Sequence, residues 1–141
     1  MQGAKRRILV SACLLGRNCK YNGGNNLSAR ALAFLRDWEV IEICPELLAG
    51  LGTPRTPMEI VQGVVTDRDG IVHDAPLRAA VASILERYAT VGCALLKSRS
   101  PTCGVRQVYD GSFSGRLVDG AGILARALLD AGWEVYDADE I

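Results

Sequence analysis

The feature that most constrains the fold is an alternation of short apolar runs with longer segments of helical periodicity. The runs at 8–15, 39–43, 93–96 and 133–136 predict strands, and the segments 27–38, 76–90 and 121–131 predict helices. Strands separated by helices of this length pair in parallel, through right-handed crossovers that cover both faces of a sheet. The sequence therefore predicts an α/β fold, a compact Rossmann-like three-layer domain with a mainly parallel sheet.

The connections between these elements carry weaker signals. Asn26 is the predicted cap of the first helix, because its side chain can accept a backbone N–H of the first turn. The segment 61–72 is predicted to form a hairpin that turns at Asp-Arg-Asp-Gly, residues 67–70, and the glycines and prolines of 47–55 predict an irregular excursion. At 141 residues, the whole chain 1–141 is expected to form a single domain.

Charge and cysteine content narrow the class of protein. Lys plus Arg and Asp plus Glu each total 16, so no net charge attracts the chain to nucleic acid or to an anionic membrane. Five cysteines are an odd number and lack the dense spacing of a small secreted disulfide domain. The apolar stretch after the basic residues 5–7 is too short for a signal peptide, and no run is long enough to span a membrane. We therefore expect a cytoplasmic protein with reduced thiols.

Three cysteines occupy equivalent places in this architecture. Cys13 lies at the end of the first predicted strand, Cys44 directly after the second, and Cys103 in the loop that follows the strand at 93–96. Parallel strands bring their carboxyl ends to the same edge of the sheet, where open α/β folds bind ligands. Three thiolates at one edge would repel one another unless a soft metal centre lay between them.

The ligand count gives a partial indication of the metal. Structural zinc usually takes four ligands at short spacings such as Cys-x-x-Cys, which this chain lacks. A four-iron cluster held by three cysteines keeps one iron open, and an open iron is a Lewis acid. Free cysteines also fill protein cores, which is the favoured interpretation of Cys93, and Cys19 is interpreted as a loop thiol rather than a fourth ligand.

Polar residues near these cysteines are candidates for acid-base and binding roles. Glu46, in Cys-Pro-Glu, either points into the crevice as an acid-base group or caps the following turn. The donor-rich segment 97–100 suits an anion or a carbonyl oxygen, although surface loops often have the same composition. His73 is the only histidine and is interpreted as structural or exposed rather than as a metal ligand. The segment 111–115 resembles a phosphate-binding loop only weakly, because it lacks the Walker spacing and lysine.

Six longer motifs span nearly the whole chain. The most specific is Lys-Ser-Arg-Ser-Pro-Thr-Cys-Gly at 97–104. The others are Val-Ser-Ala-Cys-Leu-Leu-Gly at 10–16, Tyr-Asn-Gly-Gly at 21–24, Cys-Pro-Glu at 44–46, Thr-Pro-Arg at 53–55 and Tyr-Asp-Gly-Ser-Phe-Ser-Gly at 109–115. In these motifs the chain resembles the thiouracil desulfidase family of small bacterial iron-sulfur proteins. It departs from the family at Asn22, where an aspartate is expected, and at 71–74, where an Asp-Val-Thr run is more usual.

The resemblance implies a cofactor, a set of site residues and a reaction. The cofactor is a 4Fe-4S cluster held by Cys13, Cys44 and Cys103, with one open iron for the sulfur of a thiolated pyrimidine. Glu46 and Ser100 are the implied catalytic residues. Substrate binding is expected from a set of polar residues around them: Ser11, Asn22, Lys97, Ser98 and Arg99.

The expected reaction is a hydrolytic, non-redox desulfuration of a small thiolated nucleobase, which releases sulfide and the oxo compound. Glu46 would deprotonate the attacking water, and donors between Ser98 and Ser100 would steady the ring or its developing charge. A non-catalytic iron-sulfur carrier or sensor, and a zinc- or nucleotide-binding domain, stay open as alternatives. The oligomeric state does not follow from the sequence.

Overall fold

A computed structural model describes residues 5–141 of the chain. In chain order its elements are β1 (Arg7–Ser11), a 3₁₀ turn (Ala12–Leu15), α1 (Ala29–Phe34), β2 (Glu39–Ile43), α2 (Pro45–Leu48), β3 (Met58–Val61), β4 (Val64–Asp67), α3 (Asp74–Arg87), β5 (Cys93–Leu96), β6 (Gln107–Tyr109), β7 (Leu117–Asp119), α4 (Ile123–Asp130) and β8 (Glu134–Asp137). This order confirms the predicted α/β fold.

A sheet of four parallel strands forms the centre of the molecule, in the order β2-β1-β5-β8. In the register of this sheet, Leu9 of β1 lies between Ile41 of β2 and Ala94 of β5. The chain leaves β1 toward β2 on one side and later returns to β5 on the other side. The strand order therefore reverses between β1 and β5, and ligands of open α/β sheets bind at the carboxyl side of such a reversal.

Both faces of the sheet are covered, because alternate side chains of the buried strands point to opposite faces. Leu9 and Leu96 contribute to one apolar cluster, which they share with α3 and α4. Ile8 and Leu95 contribute to the other, which they share with Ala31 of α1. These strand residues have no solvent exposure, so the burial of each side chain contributes roughly 1.5–3 kcal/mol to the free energy of folding. The three-layer prediction is thus confirmed.

The bounds of the first two elements differ from prediction. The apolar run 8–15 was expected to be one strand, but β1 ends at Ser11, whose partner Ile43 is the last residue of β2. The helix predicted over 27–38 covers only Ala29–Phe34, and its cap is Ser28, whose hydroxyl accepts the N–H of Ala31 at 3.1 Å. Asn26, the predicted cap, instead donates its backbone N–H to the carbonyl of Cys13.

The hairpin also turns at a different place. β3 and β4 are joined by Gln62 and Gly63, both with positive φ, as two-residue hairpin turns require. The predicted turn at 67–70 exists as a separate loop, in which the carboxylate of Asp67 accepts the N–H groups of Asp69 and Ile71. Within the excursion predicted for 47–55, the first two residues belong to α2.

The short hairpin of β6 and β7 was not predicted, because strands of three residues are too short to show an alternating pattern. The other helices lie within three residues of their predicted bounds. Within residues 5–141, no helix combines the length and apolarity that crossing a bilayer requires.

Candidate metal centre and active site

The carboxyl ends of β1, β2 and β5 open into one cavity of about 490 Å³. Cys13 follows β1, Cys44 follows β2 and Cys103 follows β5, and all three line the cavity, as the parallel-strand argument predicted. Cys19 lines it as well. All four thiols are free, and only Cys44 is more than marginally exposed. The structure thus brings thiols from distant parts of the sequence to one place.

Cys13 is held by the tight turn that follows β1. Its carbonyl accepts the backbone N–H of Asn26 at 2.9 Å and that of Gly16 at 3.3 Å. Gly16 ends the turn with φ 93°, a backbone conformation that glycine adopts without strain. The side-chain amide of Asn26 lies 3.4 Å from the Sγ of Cys13. The conformation of 12–16 therefore fixes both the backbone and the thiol of Cys13.

Cys44 occupies the N-cap of α2, and Pro45 occupies the first helical position, where its missing N–H costs no hydrogen bond. Proline also stops β2 from continuing, because it has no N–H to donate to the sheet. Glu46 lies in the first turn of the helix. The motif Cys-Pro-Glu thus ends a strand and starts a helix, so that the thiol and the carboxylate both reach the cavity.

Cys103 sits in a loop that is tied to the rest of the fold at several points. The Oγ of Ser100 accepts the backbone N–H groups of Thr102 and Cys103, each at 3.0 Å. The N–H groups of Ile123 and Leu124, at the start of α4, donate to the carbonyls of residues 101 and 102. The first turn of α4 therefore supports the loop that carries the thiol of Cys103.

Burial raises the pKa of three thiols at the cavity. It raises the pKa of Cys19 to about 12, with neighbouring Cys44 and Cys13 adding to the effect. It is also the main cause of the raised pKa of Cys103 and Cys44. Neutral thiols bind metals poorly, so loading a metal at these positions must release protons.

The donor set fits a polynuclear centre. Among residues 5–141, no three His, Cys, Asp or Glu side chains are grouped around a position for one metal ion. The ligands of an iron-sulfur cluster bind separate iron atoms and so need not converge on one point. Free cysteines that line one cavity, all buried except the partly exposed Cys44, meet that requirement.

Glu46 takes part in a buried network that sequence reasoning missed. Its carboxylate forms an ion pair with Arg55, and the two side chains are 17% and 10% exposed. The hydroxyl of Thr102 donates to the other carboxylate oxygen at 3.2 Å. Arg55 also donates to the carbonyl of Cys19 at 2.9 Å. Arg55 belongs to the Thr-Pro-Arg motif at 53–55, and the sequence alone assigned no role to this arginine.

The predicted substrate-binding residues next to the cysteines also line the cavity: Ser11, Lys97, Ser98 and Arg99. Some of their polar groups are already engaged. The Oγ of Ser11 accepts the N–H of Lys97 at 2.9 Å, and its hydroxyl lies in hydrogen-bonding contact with the thiol of Cys103. Ser98 donates to the buried carboxylate of Asp137 at 2.5 Å. These two hydroxyls therefore have contacts that stabilise the strand ends.

Asn22 is the exception among the predicted site residues. It is absent from the cavity lining, and its side chain is exposed. Its side-chain oxygen accepts the N–H of Gly24 at 2.9 Å and so closes a local turn. An asparagine before Gly-Gly satisfies the turn's own backbone in this way. The substrate-binding role of Asn22 stays a prediction.

The chain is similar to known proteins over nearly its whole length. A family model described as 2-thiouracil desulfurase matches residues 8–140. An uncharacterized protein of Bacillus subtilis (strain 168), YbbK, is 33% identical in an alignment of 146 residues that covers 95% of this chain and 97% of that protein. A solved structure of TudS, a [4Fe-4S]-dependent thiouracil desulfidase, is 32% identical, with a TM-score of 0.87 over 97% of this chain and 93% of TudS. The chain belongs to the 2-thiouracil desulfurase family.

Proposed function

We propose that this protein removes sulfur from a thiolated pyrimidine such as thiouracil and releases sulfide and the oxo compound. The observation that carries the proposal is the convergence of Cys13, Cys44 and Cys103 on one cavity that Glu46 and Ser100 also line. The family of the chain and its similarity to a [4Fe-4S]-dependent desulfidase support the same activity.

In this proposal Cys13, Cys44 and Cys103 hold a 4Fe-4S cluster. When bound, the cluster supplies one iron without a protein ligand, a Lewis acid that suits the soft sulfur of a thiocarbonyl group. Cys19 lies at the same cavity but is left out of the ligand set. We propose that the protein works in the cytoplasm, because an open cluster and free thiols persist in a reducing compartment.

Glu46 is the proposed general base for a water molecule. Arg55 and Thr102 each contact one of its carboxylate oxygens, which fixes the orientation of the group. Every carboxylate oxygen has two lone pairs, so both oxygens can still accept a hydrogen bond from water. Glu46 takes a proton from the water, the hydroxide oxygen bonds to the carbon that carries sulfur, and the carbon-sulfur bond breaks. The π electron pair of the C=S bond goes to sulfur during the addition, and sulfur then takes the proton held by Glu46 and leaves as hydrosulfide with the remaining electron pair. The added hydroxyl loses its proton to solvent and becomes the oxo group, so no external oxidant or reductant is consumed.

Ser100 is the proposed second catalytic group. Its Oγ already accepts two backbone N–H groups, so its own hydrogen is the part of the hydroxyl that can point toward a ligand. Two N–H donors on one oxygen also polarise its O–H bond. A hydroxyl arranged in this way can donate a hydrogen bond to the leaving sulfur or to the ring.

Sulfide release tests the proposal. Protein reconstituted with iron and sulfide under anaerobic conditions should release sulfide from 2-thiouracil or 4-thiouracil. Glu46→Gln should keep its iron and lose about 100-fold or more of kcat, as expected for removing a general base. Glu42→Gln is the matched control, because Glu42 lies two residues before Cys44 as Glu46 lies two after, and it pairs with Arg17 at the surface.

The result also separates the alternatives. If Glu46→Gln were as active as the parent protein, the proposed role of Glu46 would be wrong. If the parent carried iron and acid-labile sulfide but released no sulfide from either substrate, a carrier or sensor would be the better explanation. Zinc in place of iron in freshly purified, oxygen-protected protein would favour the metal- or nucleotide-binding alternative.

The ligand set has its own test. Cys103→Ala should lose the cluster, measured as iron and acid-labile sulfide per chain. Cys93→Ala is the control, because Cys93 is buried in β5 and lies outside the cavity lining. Equal iron content in the two variants would contradict the assignment of Cys103 as a ligand.

A further inference from the structure

One part of the cavity wall carries an aromatic side chain rather than a thiol. Phe113 lies in the loop between β6 and β7, and it lines the cavity together with Tyr109 and the cysteines. The chain has two phenylalanines. The other, Phe34, packs against Trp38 and Tyr136 in the apolar cluster on the α1 face of the sheet. Phe113 is thus the phenylalanine available to a ligand in the cavity.

The backbone of Phe113 is held in a costly conformation. Its φ is 56°, in the left-handed region that bulky residues rarely adopt. Such strain persists only where the surroundings enforce it, and it is frequent at ligand-binding sites. Here the surroundings include Glu59, whose Oε1 accepts the N–H of Phe113 at 3.1 Å and that of Gly111 at 2.9 Å.

Glu59 and Gly111 attach the loop firmly to β3. Glu59 is 9% exposed, and a buried carboxylate is tolerated because charge-assisted hydrogen bonds compensate for its lost hydration. A Cβ atom at Gly111 would lie 2.6 Å from the carbonyl oxygen of Ile60, so the loop approaches the strand backbone closely. The position of Phe113 is therefore set by strand contacts and a buried charge.

We propose that Phe113 is a specificity-determining residue that stacks on the planar ring of the substrate. The inference rests on the proposed function and narrows its substrate class to aromatic thio-heterocycles. An aromatic side chain stacks on any flat heteroaromatic ring, whatever polar groups the ring carries. A ring that is saturated at two carbons is puckered and loses this contact while keeping the same carbonyl and N–H groups. Phe113 thus selects for ring planarity.

Binding of the reaction product tests the inference without any chemistry. Uracil and 5,6-dihydrouracil are titrated into the reconstituted protein and their dissociation constants are measured by ligand-observed NMR. The parent protein should bind uracil about tenfold more tightly than dihydrouracil, as expected for the loss of one stacked base. Phe113→Leu should abolish this preference, and Phe113→Tyr should retain it. Leucine keeps the Cβ atom, so the two variants share the backbone strain of the parent.

Kinetics and a control complete the experiment. With 2-thiouracil as substrate, Phe113→Leu should raise KM by about tenfold and change kcat much less, because stacking acts on binding. Phe34→Leu removes the other phenylalanine and should leave the preference for uracil unchanged. Iron content and visible absorbance should be the same in all variants.

Each outcome has one meaning. An unchanged preference for uracil in Phe113→Leu would overturn the inference, and so would loss of iron from that variant, since Phe113 would then support the metal site. A parent protein that prefers uracil through Phe113 but releases no sulfide from 2-thiouracil would leave the inference standing and refute the proposed function. A parent protein that releases sulfide but shows no preference for uracil would support the proposed function and refute the inference about Phe113.

Discussion

The contact between Gly122 and the loop of Cys103 predicts a large effect from a single methyl group. Gly122 has φ −65° and ψ 166°, which any residue can adopt, so alanine would not strain the backbone there. A Cβ atom at this position, however, would lie 2.4 Å from the carbonyl carbon of Thr102 and 2.5 Å from its oxygen. Both are backbone atoms, which cannot rotate away as a side chain can.

The cost of Gly122→Ala follows from what must move. Relieving the contact requires a shift of about 1 Å between the loop and the start of α4. Overpacking of this kind costs about 1–3 kcal/mol, and the shift also weakens the hydrogen bonds that Ile123 and Leu124 make to the loop, each contributing about 1 kcal/mol. Alanine recovers about 0.4–1 kcal/mol by restricting the unfolded chain. We therefore expect a net loss of about 2–3 kcal/mol in the free energy of unfolding.

Two measurements check this expectation. Thermal unfolding of the metal-free, reduced protein should show a Tm about 6–9 °C lower, given roughly 3 °C per kcal/mol for a chain of this size. Reconstitution should give less iron per chain, because the loop that moves carries Cys103. Gly120→Ala is the control, since its Cβ would meet only the Cγ2 of Val108, at 3.4 Å. A Gly122→Ala protein as stable as this control, with the same iron content, would refute the reasoning.

Three further predictions concern the thiols, the acid stability and the core. Cys19→Ala should retain the iron and acid-labile sulfide of the parent, because the proposal gives the cluster three ligands; loss of the cluster would make Cys19 a fourth. The hydrogen bond from His73 lowers the pKa of Asp67, so the stabilisation is present above the unfolded pKa of about 3.9 and is lost as the pH falls through the lower folded value. Asp67→Asn should therefore be less stable than the parent at pH 7, and the difference in urea midpoint should shrink below about pH 3.9. A constant difference at all pH values would contradict this. Asp69→Asn is the control, because Asp69 is exposed. Leu95→Ala, at a position with no solvent exposure, should cost about 2–5 kcal/mol in urea unfolding, and a smaller loss would mean that the core relaxes around the deletion.

Sequence reasoning was most accurate where local pattern and tertiary contacts agree. β2 and β5 have the bounds that were predicted. The proline at position 45 keeps β2 from continuing past Ile43, and the apolar run that follows Gly92 marks β5 as a buried strand. It was least accurate at turns. Gln62–Gly63 forms the hairpin instead of 67–70, since the side chain of Asp67 bonds to the backbone of its own loop. The extent of the domain, 1–141, stays a prediction.

The candidate site residues could also be predicted only in part. The position of Cys13, Cys44 and Cys103 at strand ends was sufficient to predict that they meet, and the structure places them at one cavity. Their role as ligands stays a prediction, as do the roles of Glu46 and Ser100. Asn22 does not line the cavity, and its predicted substrate-binding role also stays a prediction.

The sequence by itself determined where the residues that follow the strands must lie. Once four strands run parallel, the residues after their carboxyl ends share one edge of the sheet. Only the tertiary structure decided which loop residues complete the cavity. Arg55 reaches the carbonyl of Cys19 across 36 positions, and Glu59 holds the backbone of Phe113 across 54. The physical reason is the sequence separation of the contacts. Hydrophobic periodicity depends on residues close together within one helix or strand, whereas these contacts depend on how separate loops pack together in the folded chain.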